Sequence, residues 1–145
     1  MKRLGISFLL VFFVGTLYGT AQDLNPKEVP SVVVNTFKKE FPKASDVEWE
    51  LTTNDVYEVE FEIGYFTEYE AWFDANGKMI KYTEELSKSD LPKIVKEYVK
   101  TNHASYHIDD AEKIVEGNTT HFKIEIEDGP NEQHLLFDEK GKIKK

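Results

Sequence analysis

Hydrophobic residues recur at helical spacing in a first short segment of this chain. An apolar side chain stands at every fourth position: Val29, Val33, Phe37 and Phe41. Pro30 suits the first helical position, where a missing N–H costs nothing, and Pro42 ends the pattern. The spacing therefore predicts a helix with one apolar side.

A second segment, residues 91–99, has the same design. Pro92 again suits the first helical position, and Ser89 or Asp90 can cap the helix. Its apolar residues fall at i, i+3, i+4, i+7 and i+8 and form one stripe: Leu91, Ile94, Val95, Tyr98 and Val99. Both predicted helices need an apolar surface to pack against.

Elsewhere the apolar spacing changes to every second residue, which is typical of half-buried antiparallel strands. In the first half the apolar positions are Val47, Trp49, Leu51, Tyr57, Val59, Phe61 and Ile63. In the second half Ile114 is expected to begin the sheet, and Phe122, Ile124 and Ile126 continue it. Turns are expected at residues 74–77 and 138–141, where Gly77 and Gly141 can take a positive φ.

The two halves of the chain align with one another. VPSVVVNTF matches LPKIVKEYV at an offset of 62 residues, YEVEFEI matches FKIEIED at 65, and FDANGKM matches FDEKGKI at 64. In this alignment Ile114 takes the place of Trp49, and Leu136 takes the place of Trp72. Such self-similarity predicts an internal repeat.

We therefore predict an α+β fold of two tandem repeats, each with one helix followed by about four antiparallel strands. The helices pack on one face of the sheet and the other face is open. The repeats are assigned to residues 22–86 and 87–145, with their connection in residues 83–90. Because a unit of about 60 residues is marginally stable alone, the two are expected to form one compact unit.

The chain opens with Lys2 and Arg3, an apolar run and small residues up to Ala21, which is the layout of a secretory signal peptide. The apolar run is shorter than the roughly 20 residues that cross a bilayer. Residues 1–21 are interpreted as a cleaved signal peptide, which leaves a periplasmic or extracellular protein without a membrane span. No cysteine follows the run, so attachment as a lipoprotein is not expected.

The charge narrows the range of partners. The chain has 27 acidic and 18 basic residues and no cysteine. Loss of Lys2 and Arg3 would bring the net charge from −9 to about −11. Such a protein repels nucleic acid and anionic membrane surfaces, so a nucleic-acid partner is not expected. Without cysteine, disulfides and thiolate metal sites are excluded.

Taken together, these motifs resemble the PepSY-like, β-lactamase-inhibitor-like domain family of secreted Bacteroidetes proteins. A signal peptide precedes a VP…V…F…FP helix, a V-x-W strand, a Y-x-V-x-F strand and an FDxxGK turn. The resemblance covers essentially the whole mature chain. The second copy departs from the pattern because His103 replaces the helix-end phenylalanine and no proline follows it.

The resemblance implies a helix packed on one side of an antiparallel sheet whose other side is open and often concave. In the β-lactamase inhibitory proteins that side grips an enzyme, and relatives named PepSY are associated with restraining peptidases. The family name describes a shape, so it supports an inhibitory role by analogy alone.

No catalytic constellation is found in the sequence. The four histidines, at positions 103, 107, 121 and 134, lack the H-E-x-x-H spacing, and no G-x-S-x-G or P-loop motif occurs. His103 and His107 are four residues apart, so a continued helix could place them on one face as metal ligands. Because they follow the expected helix end, these two histidines are interpreted as exposed loop residues. We predict a non-enzymatic protein with no catalytic residue, no cofactor and no resident metal.

One acidic stretch, YEVEFEIGYFTEYEAWFD, stands out at residues 57–74. Strand alternation places its outward side chains on one surface, here named the acidic face: Glu58, Glu60, Glu62, Glu68, Glu70 and Trp72. Phe66 is included in this face on the condition that it too points outward. With a turn near Gly64, we expect Glu60 to lie near Glu68, and Glu58 near Glu70. Such like-charge pairs destabilise a sheet by some tenths of a kcal/mol each. Lys81 could lie beside Glu70 and cancel part of the charge.

Three interpretations of the acidic face remain open. It can be the solvated side of the sheet, a site for a basic protein or peptide, or a site for a divalent cation. Trp72 favours the protein site, because large aromatic side chains often anchor interfaces. The sequence thus predicts an exported binding module, inhibitor-like in shape, that recognises a basic protein surface. The alternative is a cation- or small-ligand-binding envelope protein.

Overall fold

The structure, a computed structural model, describes residues 22–144. The predicted signal peptide, residues 1–21, lies outside this part of the chain. The elements follow in the order β1 (Gln22–Leu24), α1 (Ser31–Glu40), β2 (Ser45–Leu51), β3 (Tyr57–Ile63), β4 (Thr67–Phe73), β5 (Met79–Glu85), α2 (Lys93–Asn102), β6 (His107–Glu116), β7 (Thr119–Asp128) and β8 (Asn131–Asp138). Two helices and an antiparallel sheet confirm the α+β prediction.

All eight strands form one sheet, in which each strand pairs with its chain neighbours in the order β1 to β8. The two halves meet where β5 pairs with β6, with Thr83 opposite Ile114. The sheets of the two predicted repeats are therefore joined edge to edge into one surface.

Two apolar cores lie between the helices and the sheet. In the first, Val33 and Phe37 of α1 pack among buried side chains of β2, β3 and β4: Trp49, Val59, Phe61, Ala71 and Phe73. In the second, Val95 and Val99 of α2 pack among those of β6, β7 and β8: Ala111, Ile124, Ile126 and Phe137.

Both cores lie on the same face of the sheet. Tyr82 packs against the first core and pairs across β5–β6 with Val115. Val115 is four residues from Ala111 of the second core. Because side chains alternate along a strand, residues four apart share a face. Among residues 22–144, no helix lies on the opposite face.

The helix ends differ in detail from the expected ones. Pro30 and Pro92 precede the first helical residue, and neither helix has a side-chain cap at its start. The expected cap from Ser89 or Asp90 is wrong, because both side chains bond to Ser87 instead, at 2.6 and 2.7 Å. The C-terminal ends of the two helices are alike. The N–H groups of Phe41 after α1 and His103 after α2 each donate a hydrogen bond of 2.8 Å to the carbonyl oxygen four residues earlier.

The two predicted glycine turns are confirmed. Asp74 Oδ1 accepts the N–H groups of residues 76 and 78 at 2.9 Å, and Asp138 Oδ1 accepts those of residues 140 and 142 at 2.9 Å. Gly77 has φ +80° and Gly141 has φ +74°. Gly77 lies directly against Val32 of α1, where a Cβ would come within 2.9 Å of the Val32 carbonyl oxygen.

The start of the second half was predicted wrongly. The sheet resumes at His107, seven residues before Ile114. The apolar spacing did not reveal this start, because the first residues of β6 are mostly polar and a bulge between Ile108 and Asp110 breaks the alternation. Trp49 faces Val59 across β2–β3, whereas Ala111 faces Ile124 across β6–β7. Ala111, and not Ile114, therefore takes the place of the tryptophan.

Strand number and the connection also differ from the prediction. Four strands follow α1, whereas three strands and a single bridge between Phe137 and Ile143 follow α2. β5 continues to Glu85, so the connection begins at residue 86 and not at residue 83. β1 was not predicted, since three residues are too few to reveal a spacing. The division into repeats at residues 86 and 87 stays a prediction.

Candidate functional site

The outward residues of β3 and β4 share the helix-free face, where they pair across the two strands. Glu60 lies opposite Glu70, Glu62 opposite Glu68, and Glu58 opposite Trp72. The expected pairs, Glu60 with Glu68 and Glu58 with Glu70, are wrong by two residues. The turn is centred on residue 65 instead of residue 64, with Ile63 opposite Thr67 as the last pair.

Strand β2 extends the acidic face. Glu48 lies opposite Glu60, and Glu50 lies opposite Glu58. The sequence contained the signal for this extension, because both glutamates alternate with apolar residues around Trp49. Seven glutamates therefore lie on three adjacent strands, and several face another glutamate directly.

These seven glutamates lack ion-pair partners: within residues 22–144, none has a lysine, arginine or histidine nitrogen within 4.0 Å. The second half is different. There Lys123 lies 3.9 Å from Glu112, His134 lies 3.7 Å from Glu125, and His107 lies 3.8 Å from Glu127. These carboxylates of the second half thus have a basic side chain within 4.0 Å, whereas, in the described part of the chain, none of the seven glutamates of the first half has one. Like charges still face each other on the second half, where Asp110 lies opposite Glu125 and Glu127 lies opposite Glu132.

Two substitutions between the halves account for this difference. Glu58 pairs with Trp72, and Lys123 pairs with Leu136 at the corresponding position of the second half. In the same way, Glu60 faces Glu70 in the first half, whereas the corresponding pair of the second half is Glu125 and His134. His134 thus takes the place of Glu70. Cationic or titratable side chains thus replace two of the carboxylates.

Burial and mutual repulsion make the acidic face hard to ionise completely. Burial, followed by the charges of Glu58 and Glu60, raises the pKa of Glu70 to about 7. Burial and neighbouring glutamates also raise the pKa values of Glu60 and Glu50. An external cation would favour the ionised form of all three.

Lys81 approaches the acidic face through Trp72. Its Nζ lies 3.9 Å from the centroid of the Trp72 ring, and the two residues pair across β4–β5. Glu70 lies opposite Thr83 and not opposite Lys81. The Lys81 charge still lowers the pKa of Glu70 and so offsets part of its increase. Trp72 is half-buried, with one side of its ring covered by this lysine.

Phe66 lies at the tip of the β3–β4 hairpin, beyond the last strand pair. It is 84% exposed, and its neighbour Tyr65, which the sequence analysis did not select, is 93% exposed. Phe66 has φ +74°, a backbone conformation that residues other than glycine rarely adopt. Two exposed aromatic rings therefore stand at the edge of the acidic face.

A shallow depression of about 220 Å³ lies beside the hairpin. Eight residues line it, of which six carry carboxylates and the others are Phe61 and Tyr69; the acidic residues are Asp46, Glu48, Glu60, Glu62, Glu68 and Glu70. Oxygen ligands of this kind suit hard divalent cations.

His107 lies in a strand, so its assignment to a loop is wrong, whereas His103 follows the end of α2. His107 belongs to β6, His121 to β7 and His134 to β8. Two groups of these strands place possible metal ligands within 4.8 Å of one another: His107, Asp109 and Glu127, and Glu125, Glu132 and His134. In each group the histidine lies within 4.0 Å of a glutamate of the same group.

Within residues 22–144, neither helix is long and apolar enough to cross a membrane. No curated protein matches the chain. A BLIP-like protein from Bacteroides fragilis is 26% identical to it, with a TM-score of 0.68 over 80% of this chain and 84% of that one. A DUF2874 family protein from Bacteroides ovatus is 21% identical, with a TM-score of 0.70 and the same coverages.

A Bacteroides eggerthii protein described as periplasmic is 16% identical, with a TM-score of 0.70 over 81% of this chain and 86% of that one. The family model described as "Putative beta-lactamase-inhibitor-like, PepSY-like" matches residues 18–65 and 55–145. These two segments include almost all of the chain, and they confirm the resemblance found in the sequence. The chain belongs to the PepSY-like, β-lactamase-inhibitor-like family.

Proposed function

We propose that the mature protein is an exported, non-enzymatic binding module that holds a basic protein or peptide on its acidic face. The family is named for an inhibitor and not for an enzyme. A relative of the same fold is described as periplasmic. Both features support a binding role in the cell envelope.

The observation that carries this proposal is the uncompensated charge of β2, β3 and β4. Glutamates that face each other, such as Glu60 and Glu70, repel one another, and among the described residues neither has a basic side chain within 4.0 Å. On the second half of the same sheet, by contrast, Lys123 and His134 lie within 4.0 Å of Glu112 and Glu125. Binding of a basic partner would relieve the repulsion on the first half, and that relief would favour the bound state.

A divergent repeat fits this role. The two halves have matching helix ends and matching Asp–Gly turns, which supports an origin by duplication. We propose that the first half retains or acquired the binding surface while the second half mainly completes the sheet. Lys123 and His134 are the substitutions that separate the two halves.

Binding of a short oligolysine peptide to the mature protein tests the proposal. We expect measurable binding by calorimetry that weakens as salt is added, because the attraction is electrostatic. Glu60→Lys should abolish most of it, and Trp72→Ala should weaken it. Glu132→Lys changes the net charge equally on the second half of the sheet and should retain binding.

Equal losses in Glu60→Lys and Glu132→Lys would mean that net charge alone attracts the peptide, and the assignment to the acidic face would be wrong. Full binding by Glu60→Lys would also contradict it.

A divalent cation is the second candidate ligand, because six carboxylates line the depression beside the hairpin. Binding of calcium would raise the melting temperature in proportion to the logarithm of the calcium concentration. A melting temperature that does not change during the titration removes this candidate.

A further inference from the structure

Trp72 lies within a row of side chains that crosses the helix-free face. Strand pairing gives the order Glu50, Glu58, Trp72, Lys81 and Glu116 from β2 to β6. The ring is thus flanked by a carboxylate on one side and by an ammonium group on the other. A cation within about 6 Å of an indole centroid is attracted to the ring, and Lys81 Nζ lies well inside that limit at 3.9 Å.

Lys81 is held by the ring and not by an ion pair. Among the described residues, no carboxylate oxygen lies within 4.0 Å of its Nζ, although Glu70 is close enough for the lysine charge to lower its pKa. Lysine has a long, flexible side chain, so it can leave the ring without moving the strand. Glu116, its exposed partner across β5–β6, offers an alternative position.

We propose that Trp72 is the recognition site for an arginine side chain of the bound basic segment, and that Lys81 occupies this site until the segment displaces it. The proposal rests on the function proposed above and specifies the chemistry of its ligand. The chain's own ammonium group on the ring is the observation that points to a cationic ligand at this place.

Arginine fits the site better than lysine does. A guanidinium group can stack flat on an indole ring and still donate hydrogen bonds from its edge to a carboxylate. Glu58 stands opposite Trp72, and Glu70 is two residues away on the same face, so acceptors are available beside the ring. Lys81, by contrast, makes the ring contact without an ion pair.

The site occurs once in the described chain. At the corresponding positions of the second half, Leu136 replaces the ring and Lys123 replaces the flanking carboxylate. A partner that presents an arginine therefore has one orientation on the sheet. The remaining glutamates of β3 and β4 repeat at every second residue, which matches the side-chain spacing of an extended basic segment.

The test compares oligoarginine and oligolysine peptides of equal length as ligands of the mature protein. Trp49 is 4% exposed, so a change in tryptophan fluorescence on binding reports mainly on Trp72. We expect the wild-type protein to bind oligoarginine severalfold more tightly than oligolysine. Lys81→Ala should bind oligoarginine severalfold more tightly than Lys78→Ala, a matched control that removes one exposed charge from the neighbouring turn.

Trp72→Leu should lose the preference for arginine but keep salt-dependent binding, and Trp72→Phe should keep part of the preference. Equal affinity of Lys81→Ala and Lys78→Ala, or equal affinity of the wild type for both peptides, overturns the inference. If binding remains sensitive to Glu60→Lys in that case, the proposed function survives. If neither peptide binds at all, both proposals are wrong.

Discussion

Glu60 of β3 lies directly opposite Glu70 of β4, and within the described chain neither carboxylate has a cationic partner within 4.0 Å. Two like charges at this position of an antiparallel pair destabilise the sheet. The pKa of Glu70, raised to about 7, is one consequence of this contact together with burial. The arrangement links the stability of the fold to pH and to the presence of a cation.

The stability of the protein should fall as the pH rises through the range in which Glu70 ionises. Its pKa is about 7 in the folded state, against an ordinary value of 4.5. The folded state keeps a proton that the unfolded chain releases, so the free energy of unfolding decreases between pH 4.5 and 7. We expect Glu70→Gln to raise it by about 1–3 kcal/mol above pH 7 and to change it little below pH 4.5.

Urea denaturation on both sides of this pH range measures the effect. Glu68→Gln is the matched control, since it removes one exposed glutamate from the same strand. If both variants change the pH dependence equally, the general charge of the face and not the buried position of Glu70 is responsible.

Gly77→Ala should destabilise the protein by about 2–3 kcal/mol. The alanine would have to adopt the left-handed φ of +80°, which side chains disfavour. Its Cβ would also lie 2.9 Å from both the side chain and the carbonyl oxygen of Val32. A backbone atom of a packed helix cannot move away as a side chain can.

Gly64→Ala separates the two causes. Gly64 has a similar φ of +77° but no neighbouring atom within 4 Å of the added Cβ. Its substitution should cost only about 1 kcal/mol. Equal losses of stability in the two variants, measured by thermal unfolding, would show that the contact with α1 has no effect.

Tyr69 should titrate at a lower pH when Glu84 is neutral. Burial, then the hydrogen bond to Glu84 and the charge of that residue, raises the pKa of Tyr69 to about 12. In Glu84→Gln the pKa of Tyr69 should decrease toward its ordinary value of 10. The difference between the ultraviolet titration curves with and without Tyr69→Phe isolates this residue.

The same substitution removes a half-buried ion pair on the helix side of the sheet, because Lys113 Nζ lies 3.0 Å from Glu84 Oε2. We expect a loss of about 1 kcal/mol in the free energy of unfolding. Glu112→Gln breaks the longer contact with Lys123 on the opposite face and should leave the titration of Tyr69 unchanged. An altered Tyr69 titration in that control would point to a long-range charge effect.

Phe37→Ala should be more harmful than Val99→Ala. Phe37 packs against four aromatic rings, with centroid distances of 5.8, 5.3, 5.0 and 6.4 Å to Phe41, Trp49, Phe61 and Phe73. Its loss should cost about 3–5 kcal/mol, whereas removing the smaller Val99 from α2 should cost about 2 kcal/mol. Denaturant midpoints compare the two directly, and similar midpoints would refute the dominance of the aromatic cluster.

Alternation alone predicted which residues of β3 and β4 share a face, because both strands pair without interruption between the hairpin turn and Phe73. It could not predict which glutamates face each other. The register depends on a three-residue turn in which Phe66 takes a positive φ, and the identity of that residue gives no sign of such a conformation.

The beginning of β6 was missed for a different reason. Three of its first four residues are polar, and the bulge after Ile108 shifts the alternation before the next apolar residue. The contact of Lys123 with Glu112 was missed as a result, because it follows from the β6–β7 register. Spacing reveals faces, whereas the contacts between strands require their register.

Each apolar core is built from a separate portion of the chain. All members of the first core lie within residues 24–82, and all members of the second lie within residues 86–143. Each strand also pairs only with its neighbours in the sequence. Synthesis begins at the N-terminus, so α1 can pack over four strands before any residue of the second core has been made. This arrangement would leave the edge of β5 free to pair with β6 once the second half follows.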